Sequence, residues 1–213
     1  MSLTVAENLE RHTAPIFDAD LPLVNASRNG DASAFEELVK KYDRKLYRVS
    51  QGMIHNHEDA EEVVQTAFLK AYLNLHRFQG NAKFSTWLIR IAINESFRKL
   101  RKQAPRKEQQ FDVDNGFGDD ERNQNRLDVA DWAANPESLY SATELRQILE
   151  RCLQKLQPRL RVVFFLRDIE GHSISETSGI LKITATAVKT RLSRARILLR
   201  EELTPYFKKA ALR

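Results

Sequence analysis

The stretch that decides the fold is residues 57–102, HEDAEEVVQTAFLKAYLNLHRFQGNAKFSTWLIRIAINESFRKLRK. Its first half places apolar side chains at helical spacing, and its first turns are acidic, where the helix dipole favours negative charge. Its second half resumes the helical spacing at Phe84 and ends on Arg98, Lys99, Arg101 and Lys102. The sequence therefore predicts two amphipathic helices joined by a short polar loop that contains Gly80.

The second predicted helix combines cations and aromatic rings. Its apolar face is predicted to consist of Phe84, Leu88, Ile91 and Ala92. Its opposite face carries Trp87, Arg90, Asn94, Phe97 and Arg98. Cations can follow a nucleic-acid backbone, while aromatic faces stack on unpaired bases at ~1–3 kcal/mol each. This helix and the loop before it are suited to a strand that has lost its pairing.

Three motifs in this stretch resemble conserved region 2 of bacterial RNA polymerase sigma factors, in the small extracytoplasmic-function group of sigma-E type. They are residues 59–72 (DAEEVVQTAFLKAY), 78–80 (FQG) and 84–94 (FSTWLIRIAIN), in the family's order and spacing. The resemblance implies that the first helix binds core RNA polymerase and that the loop and second helix melt and capture the −10 element. The implied polymerase contacts are Asp59, Glu62, Gln65, Phe68 and Leu69. The implied −10 contacts are Phe78, Gln79, Gly80, Asn81, Ser85, Trp87, Arg90, Asn94, Phe97, Arg98 and Lys99.

The C-terminal part of the chain predicts a helix-turn-helix. Three short helices are expected over residues 158–168, 173–181 and 184–203, with a break at Gly171. Ser173 and Glu176 form a capping-box pattern, and Thr184 is the expected cap of the last helix. The residues predicted to face the core from that helix are Val188, Leu192, Ala195 and Leu199. The rest of its surface is basic and polar, which from charge alone indicates either a solvated helix or DNA binding.

This part resembles sigma region 4, which reads the −35 element. The similar motifs are residues 156–161 (LQPRLR), 165–171 (FLRDIEG) and 187–196 (AVKTRLSRAR). The implied −35 contacts are Thr184, Thr186, Lys189, Thr190, Arg191, Ser193 and Arg194. Three positions depart from the family pattern: Thr177-Ser178 replaces Ile-Ala, Lys182 stands where a small residue is usual, and Gln157 precedes Pro158. The departures concern the geometry of DNA reading more than the fold.

Composition and charge set the expected domain plan. The 213 residues carry a formal charge of +5, which mildly favours a polyanionic partner. We predict an all-α protein with two small helical domains, a region 2 bundle and a region 4 helix-turn-helix, joined by a flexible acidic linker. The predicted divisions are an N-terminal tail (1–20), region 2 (21–102), the linker (103–135) and region 4 (136–207). A single cysteine, no signal peptide and no membrane-spanning run indicate a cytoplasmic protein.

Local signals add several helix starts. Residues 21–29 predict a short helix capped by Asp20, and Ser33 with Glu36 forms another capping-box pattern. Asn56 is expected to cap the helix that follows it, and Asn135 to cap a helix beginning at Pro136. Cys152 lies on an apolar helix face and is expected to fill the core.

Three functions are compatible with parts of the chain. An enzyme or metal site at His55 and His57 would need a second ligand or catalytic cluster, and the sequence offers none. A helix-turn-helix regulator without a sigma role explains the C-terminal part but not the loop at Gly80. A sigma factor accounts for both. The expected partners are core RNA polymerase, promoter DNA and an anti-sigma factor, with no cofactor and no membrane insertion.

Overall fold

The computed structural model describes residues 17–103 and 141–210, and this part of the chain is helical with no strand. The all-α prediction is confirmed. Most of the predicted tail, most of the linker, and the expected Asn135 cap lie outside the described residues. The helices are α1 (Leu21–Arg28), α2 (Ala32–Ile54), α3 (His57–Leu73), α4 (Phe84–Gln103), α5 (Ala142–Lys155), α6 (Pro158–Phe164), α7 (Ile174–Leu181) and α8 (Ala185–Ala210). A 3-10 turn spans Leu75–Arg77, and a π-helical turn spans Phe165–Ile169.

Helices α1 to α4 form the first group, with α2, α3 and α4 packed against one another. Asn56 caps α3 by accepting from the Asp59 N–H at 2.9 Å, as predicted. The predicted capping box at Ser33 is wrong, because Asp31 caps α2 and accepts from the Ser33 and Ala34 N–H groups. Asp20 begins α1 without a side-chain cap, because its carboxylate is buried and accepts from Tyr42 and Lys41 of α2.

Helix α4 is buried over a wider face than its sequence predicts. Ile89 and Ile93 are fully enclosed, whereas Ile91 is only half-buried. The reason is that α4 packs on α2 and α3 and also on α7 of the C-terminal group, so two of its sides are covered. The periodicity of the sequence predicts the face of α4 that packs on α2 and α3. It does not predict the second face, which packs on α7.

The second group contains α5 to α8. The capping box of Ser173 and Glu176 is confirmed, and Thr184 caps α8 by accepting from the Ala187 N–H at 3.1 Å. All four residues predicted for the core face of α8 are buried. Cys152 is buried between α5 and α8, as expected, and burial raises the pKa of its thiol.

The two groups dock on each other through a continuous apolar core. Phe165 lies against the backbone of α2 at Gly52, where an added Cβ would sit 2.2 Å from the ring. Arg161 is buried and donates to the Met53 carbonyl at 2.6 Å while also reaching three carbonyls at the α5–α6 junction. Arg48 forms a two-pronged ion pair with Glu170, at 2.8 and 3.0 Å. The predicted two domains are therefore present in a closed arrangement.

Among the helices described, none has the length and apolar character needed to cross a membrane.

Candidate nucleic-acid interface

The loop between α3 and α4 stands on a buried aromatic base. Phe78 and Phe84 are 4% and 0% exposed, and their rings meet edge to face at 5.9 Å. Trp87 is half-buried and packs on both rings, at 5.3 and 5.8 Å. Phe78, which the resemblance places among the −10 contacts, is thus a core residue in this structure.

The tip of this loop is open. Gln79 and Asn81 are exposed, and the Asn81 amide donates to the Gln79 side-chain oxygen at 3.0 Å. Gly80 between them has φ +72°, and no atom lies within 4 Å of the place where its Cβ would be. Glycine adopts this conformation without steric cost. The tip therefore presents amide donors and acceptors at an uncrowded position.

Both ends of the loop are hydrogen-bonded to residues in or just before α1. Arg28 donates to the carbonyl of Leu75 at 3.0 Å and also to that of Phe78. At the other end, a carboxylate oxygen of Asp18 accepts from the Phe84 N–H at 2.6 Å. Sequence reasoning missed both residues, since their partners lie 47 to 66 positions away and leave no local pattern.

One −10 candidate on α4, Arg90, contacts the C-terminal group. Arg90 is half-buried and donates to the Ile180 carbonyl at 2.9 Å and to that of Gly179, both at the end of α7. Burial lowers the pKa of its guanidinium. Trp87 lies one turn earlier, and Ser85 is half-buried. In this closed arrangement the guanidinium of Arg90 is hydrogen-bonded to carbonyl groups of α7, whereas Asn94 is exposed.

The basic end of α4 is paired with acidic residues of its own group. Burial would raise the pKa of Glu95, but hydrogen bonds from Lys70 and Arg98 outweigh burial, and the pKa is lowered. Lys99 binds Asp59 at 2.8 Å and also Glu62, and these hydrogen bonds raise its pKa. Lys99, expected at the −10 strand, therefore contacts two residues expected at polymerase.

Helix α3 exposes an apolar strip. Leu69 is 59% exposed, and Tyr72 and Leu73 beside it are 48% and 61% exposed. Gln65 is exposed one turn before Leu69. Phe68, in contrast, is buried and packs edge to face on Phe35 at 6.4 Å. The surface residues of the implied polymerase set, Gln65 and Leu69, are thus continuous with the exposed side chains of Tyr72 and Leu73.

Helix α8 presents most of the −35 candidates together. The exposed members are Thr184, Thr186, Lys189, Thr190, Ser193 and Arg194. Arg191 is different, because only 8% of it is exposed. It lies on the same face as Val188 and Ala195, three and four residues away, so the helix turns it towards the core. The expectation that Arg191 lies on the surface is wrong for this structure.

Two of the three departures from the family pattern, Thr177-Ser178 and Lys182, lie in α7 and at its C-terminal end. Lys182 ends α7 in the left-handed conformation, with φ +54°. Ser178 closes the turn by donating its hydroxyl to the Ile183 carbonyl at 2.6 Å. Thr177 is fully buried. The turn accommodates the Lys182 side chain because that side chain is exposed. The unfavourable energy comes from its left-handed backbone conformation.

The two histidines considered as metal ligands do not converge. His57 pairs with Glu61 at 3.4 Å on the surface of α3, whereas His55 is half-buried at the end of α2. Across residues 17–103 and 141–210, no group of three potential ligands is arranged to hold a metal ion.

The described residues combine a loop tip on an aromatic base with a helix-turn-helix, and a helix-turn-helix is typical of DNA-binding transcription proteins. Residues 38–106 match the model of Sigma-70 region 2, and residues 146–199 match that of Sigma-70, region 4. The chain is 36% identical to the ECF RNA polymerase sigma factor SigW of Bacillus subtilis, over 83% of this chain and 92% of SigW. It is 33% identical to the ECF RNA polymerase sigma-E factor of Escherichia coli K12, over 89% and 97%. The chain belongs to the extracytoplasmic-function (ECF) RNA polymerase sigma factors.

Solved structures share the fold of this chain. The structure of CnrH in complex with the cytosolic domain of CnrY matches with a TM-score of 0.63 and 26% identity, covering 88% of this chain and 99% of CnrH. The sigma factor RpoE of Bartonella quintana, solved with the anti-sigma factor NepR, shares the fold with a TM-score of 0.57 and 23% identity, over 80% and 96%.

Proposed function

We propose that this chain, an alternative sigma factor, uses the open loop tip at residues 79–81 to take a base flipped out of the −10 element. The observation that carries this is the exposed pair of amide side chains mounted on the buried Phe78–Phe84 base. Melting requires a site for the unstacked base, and its exposed edge needs donors and acceptors. Asn94 and Arg98 continue the track along α4. An ordinary helix-turn-helix regulator would have no use for such a loop.

Polymerase binding is assigned to the exposed face of α3, with Gln65 and Leu69 as its centre and Tyr72 and Leu73 extending it. Exposed apolar strips of this kind mark protein-binding surfaces. Asp59 and Glu62 border the strip, but they also hold Lys99 on α4. Reversing their charge would disturb the α3–α4 pairing as well, so Gln65 and Leu69 are the better residues to change.

Reading of the −35 element is assigned to the exposed first turns of α8. Short polar and basic side chains near the N-terminal half of a recognition helix reach base edges in the major groove. We assign polymerase binding and −10 capture to residues 21–102 and −35 reading to residues 136–207. The chemistry of transcription belongs to the polymerase, so the chain itself has no enzymatic role.

Regulation by an inhibitory partner of the anti-sigma kind is part of the proposal. CnrH, which shares the fold over most of this chain, was solved with the cytosolic domain of CnrY. The place of action is the cytoplasm, where core polymerase meets promoter DNA.

The test is transcription by core polymerase from a randomised promoter library, with and without this chain. We expect transcription that depends on the chain and sequence preferences at both −10 and −35. Asn81→Ala should weaken promoter opening by about 0.5–1.5 kcal/mol, the net value of one hydrogen bond. Permanganate reactivity of promoter thymines reports opening, while closed-complex formation should stay unchanged. Asn25→Ala, at an exposed position on α1, is the matched control. Equal opening by Asn81→Ala and wild type would remove the loop from the capture site.

A further inference from the structure

The loop tip has no packing of its own, so its direction is set where the loop begins and ends. At its start, the forked guanidinium of Arg28 joins two carbonyls, those of Leu75 and Phe78. Leu75 begins the 3-10 turn, and Phe78 follows its end, immediately before Gln79. Holding both fixes the peptide plane from which the tip departs.

At its end, the loop enters α4 without a local cap. Lys83 precedes Phe84 and has no side-chain oxygen that could accept from the first N–H groups of the helix. Asp18, 66 residues earlier, supplies that oxygen and accepts from the Phe84 N–H at 2.6 Å. A carboxylate at this end of α4 is also favoured by the helix dipole.

Asp18 is itself held in place. Its second oxygen accepts from the Asp20 N–H at 3.1 Å, and its carbonyl accepts from the Leu21 N–H at 3.2 Å. Asp20 is 3% exposed, and its carboxylate accepts from the Tyr42 hydroxyl and from Lys41. The chain of contacts runs from α2 through Asp20 and Asp18 to the first turn of α4.

We propose that Asp18 and Arg28 are positioning residues for −10 recognition: they clamp the two ends of the loop so that Gln79 and Asn81 meet the flipped base in one orientation. This rests on the proposed function of the loop. Loss of either anchor leaves the tip attached but free to turn. Discrimination between bases at the −10 element then falls, while −35 reading, which belongs to α8, is unaffected.

The test uses the full chain with core polymerase and the randomised promoter library. For Asp18→Ala and Arg28→Ala, we expect the preference for the favoured −10 base to fall roughly tenfold, equivalent to about 1.4 kcal/mol, with the −35 preference unchanged. Asp18→Asn and Arg28→Lys each keep one of two contacts, so their losses should be smaller. Should an alanine variant not fold in a thermal melt, these conservative variants decide, and wild-type −10 preference in both would overturn the proposal.

Asn81→Ala in the same library separates this proposal from the function on which it rests. A lowered −10 preference for Asn81→Ala together with wild-type preference in the clamp variants overturns the positioning role and leaves the capture site in place. Wild-type preference in all three removes both. A uniform fall in transcripts, with unchanged preferences at −10 and −35, shows a loss of stability only and also overturns the positioning role.

Discussion

At the end of α2, His55 combines an unusual backbone with a buried side chain. Its φ is +60°, and its imidazole Nε2 is buried with no hydrogen-bond partner among the described residues. Burial lowers its pKa from 6.5 to about 4, and the Arg161 guanidinium contributes in the same direction while Glu150 opposes it. The neutral form is therefore the one that the folded protein accommodates.

A pH dependence of stability follows from this residue. Because the folded pKa lies below the unfolded one, the contribution is complete above about pH 6.5 and is lost as the pH falls towards 4. The loss from His55 is at most about 3 kcal/mol. We expect urea unfolding of His55→Asn to show a smaller fall in free energy over this window than wild type. Asn tolerates positive φ, so the backbone is preserved. An identical pH profile would contradict the shift.

At the scale of the element, the turn between α7 and α8 is destabilised by the left-handed backbone conformation of Lys182. A side chain with φ +54° clashes with the following carbonyl oxygen, at roughly 1–2 kcal/mol, and glycine avoids this. Lys182→Gly should therefore raise the free energy of unfolding by about 1 kcal/mol. Lys182→Ala keeps the Cβ and removes only the long side chain, so it should not. Chemical denaturation of the two variants checks the difference, and equal stability of Gly and Ala would refute the strain.

At the scale of the molecule, the proposed assignment of α4 to the −10 element and α8 to the −35 element requires an arrangement other than the closed one. Elements at −10 and −35 are separated by about 25 base pairs, or about 85 Å at ~3.4 Å per pair. Helices α4 and α7 are in direct contact, and Arg90 binds the end of α7. Simultaneous reading of both elements therefore requires the two groups of helices to part. On the proposed assignment, the docked form holds these two surfaces too close together for both promoter elements to bind at once.

Gly52 provides a means to open this interface. Gly52→Ala places a methyl group 2.2 Å from a carbon of the Phe165 ring, so the docking surfaces must separate or shift. Gly179→Ala is a matched control across the interface, because its added Cβ meets nothing within 4 Å. Both changes raise helix propensity alike. Small-angle X-ray scattering should show a larger radius of gyration for Gly52→Ala only. The same radius in both variants would show that Phe165 accommodates the methyl group.

The success of sequence reasoning here follows the range of the interactions. Asn56 and Ser173 cap helices through partners three residues away, and such pairs are visible in one chain. The capping box of Ser141 and Glu144 at the start of α5 has the same signature and was available but overlooked. The Asp18–Phe84 hydrogen bond and the Gly52–Phe165 contact join residues that are far apart in the sequence, so no local pattern predicts them. Family motifs supplied the proposed site residues. The burial of Arg191 depends on how α8 packs in the folded chain, and its polar and basic neighbours in the sequence give no sign of it.

The ion pairs at the basic end of α4 also bear on how this protein will respond to salt. A cation that meets a phosphate releases the counterion condensed there, and the logarithm of the affinity falls with the logarithm of the salt concentration accordingly. Arg98 and Lys99 are already neutralised by Glu95, Asp59 and Glu62. If Arg98 and Lys99 bind phosphate, their ion pairs with Glu95, Asp59 and Glu62 must first break, or each cation must contact the phosphate and the carboxylate together. The salt slope of DNA binding therefore reflects fewer released ions than the four cations at positions 98, 99, 101 and 102 suggest.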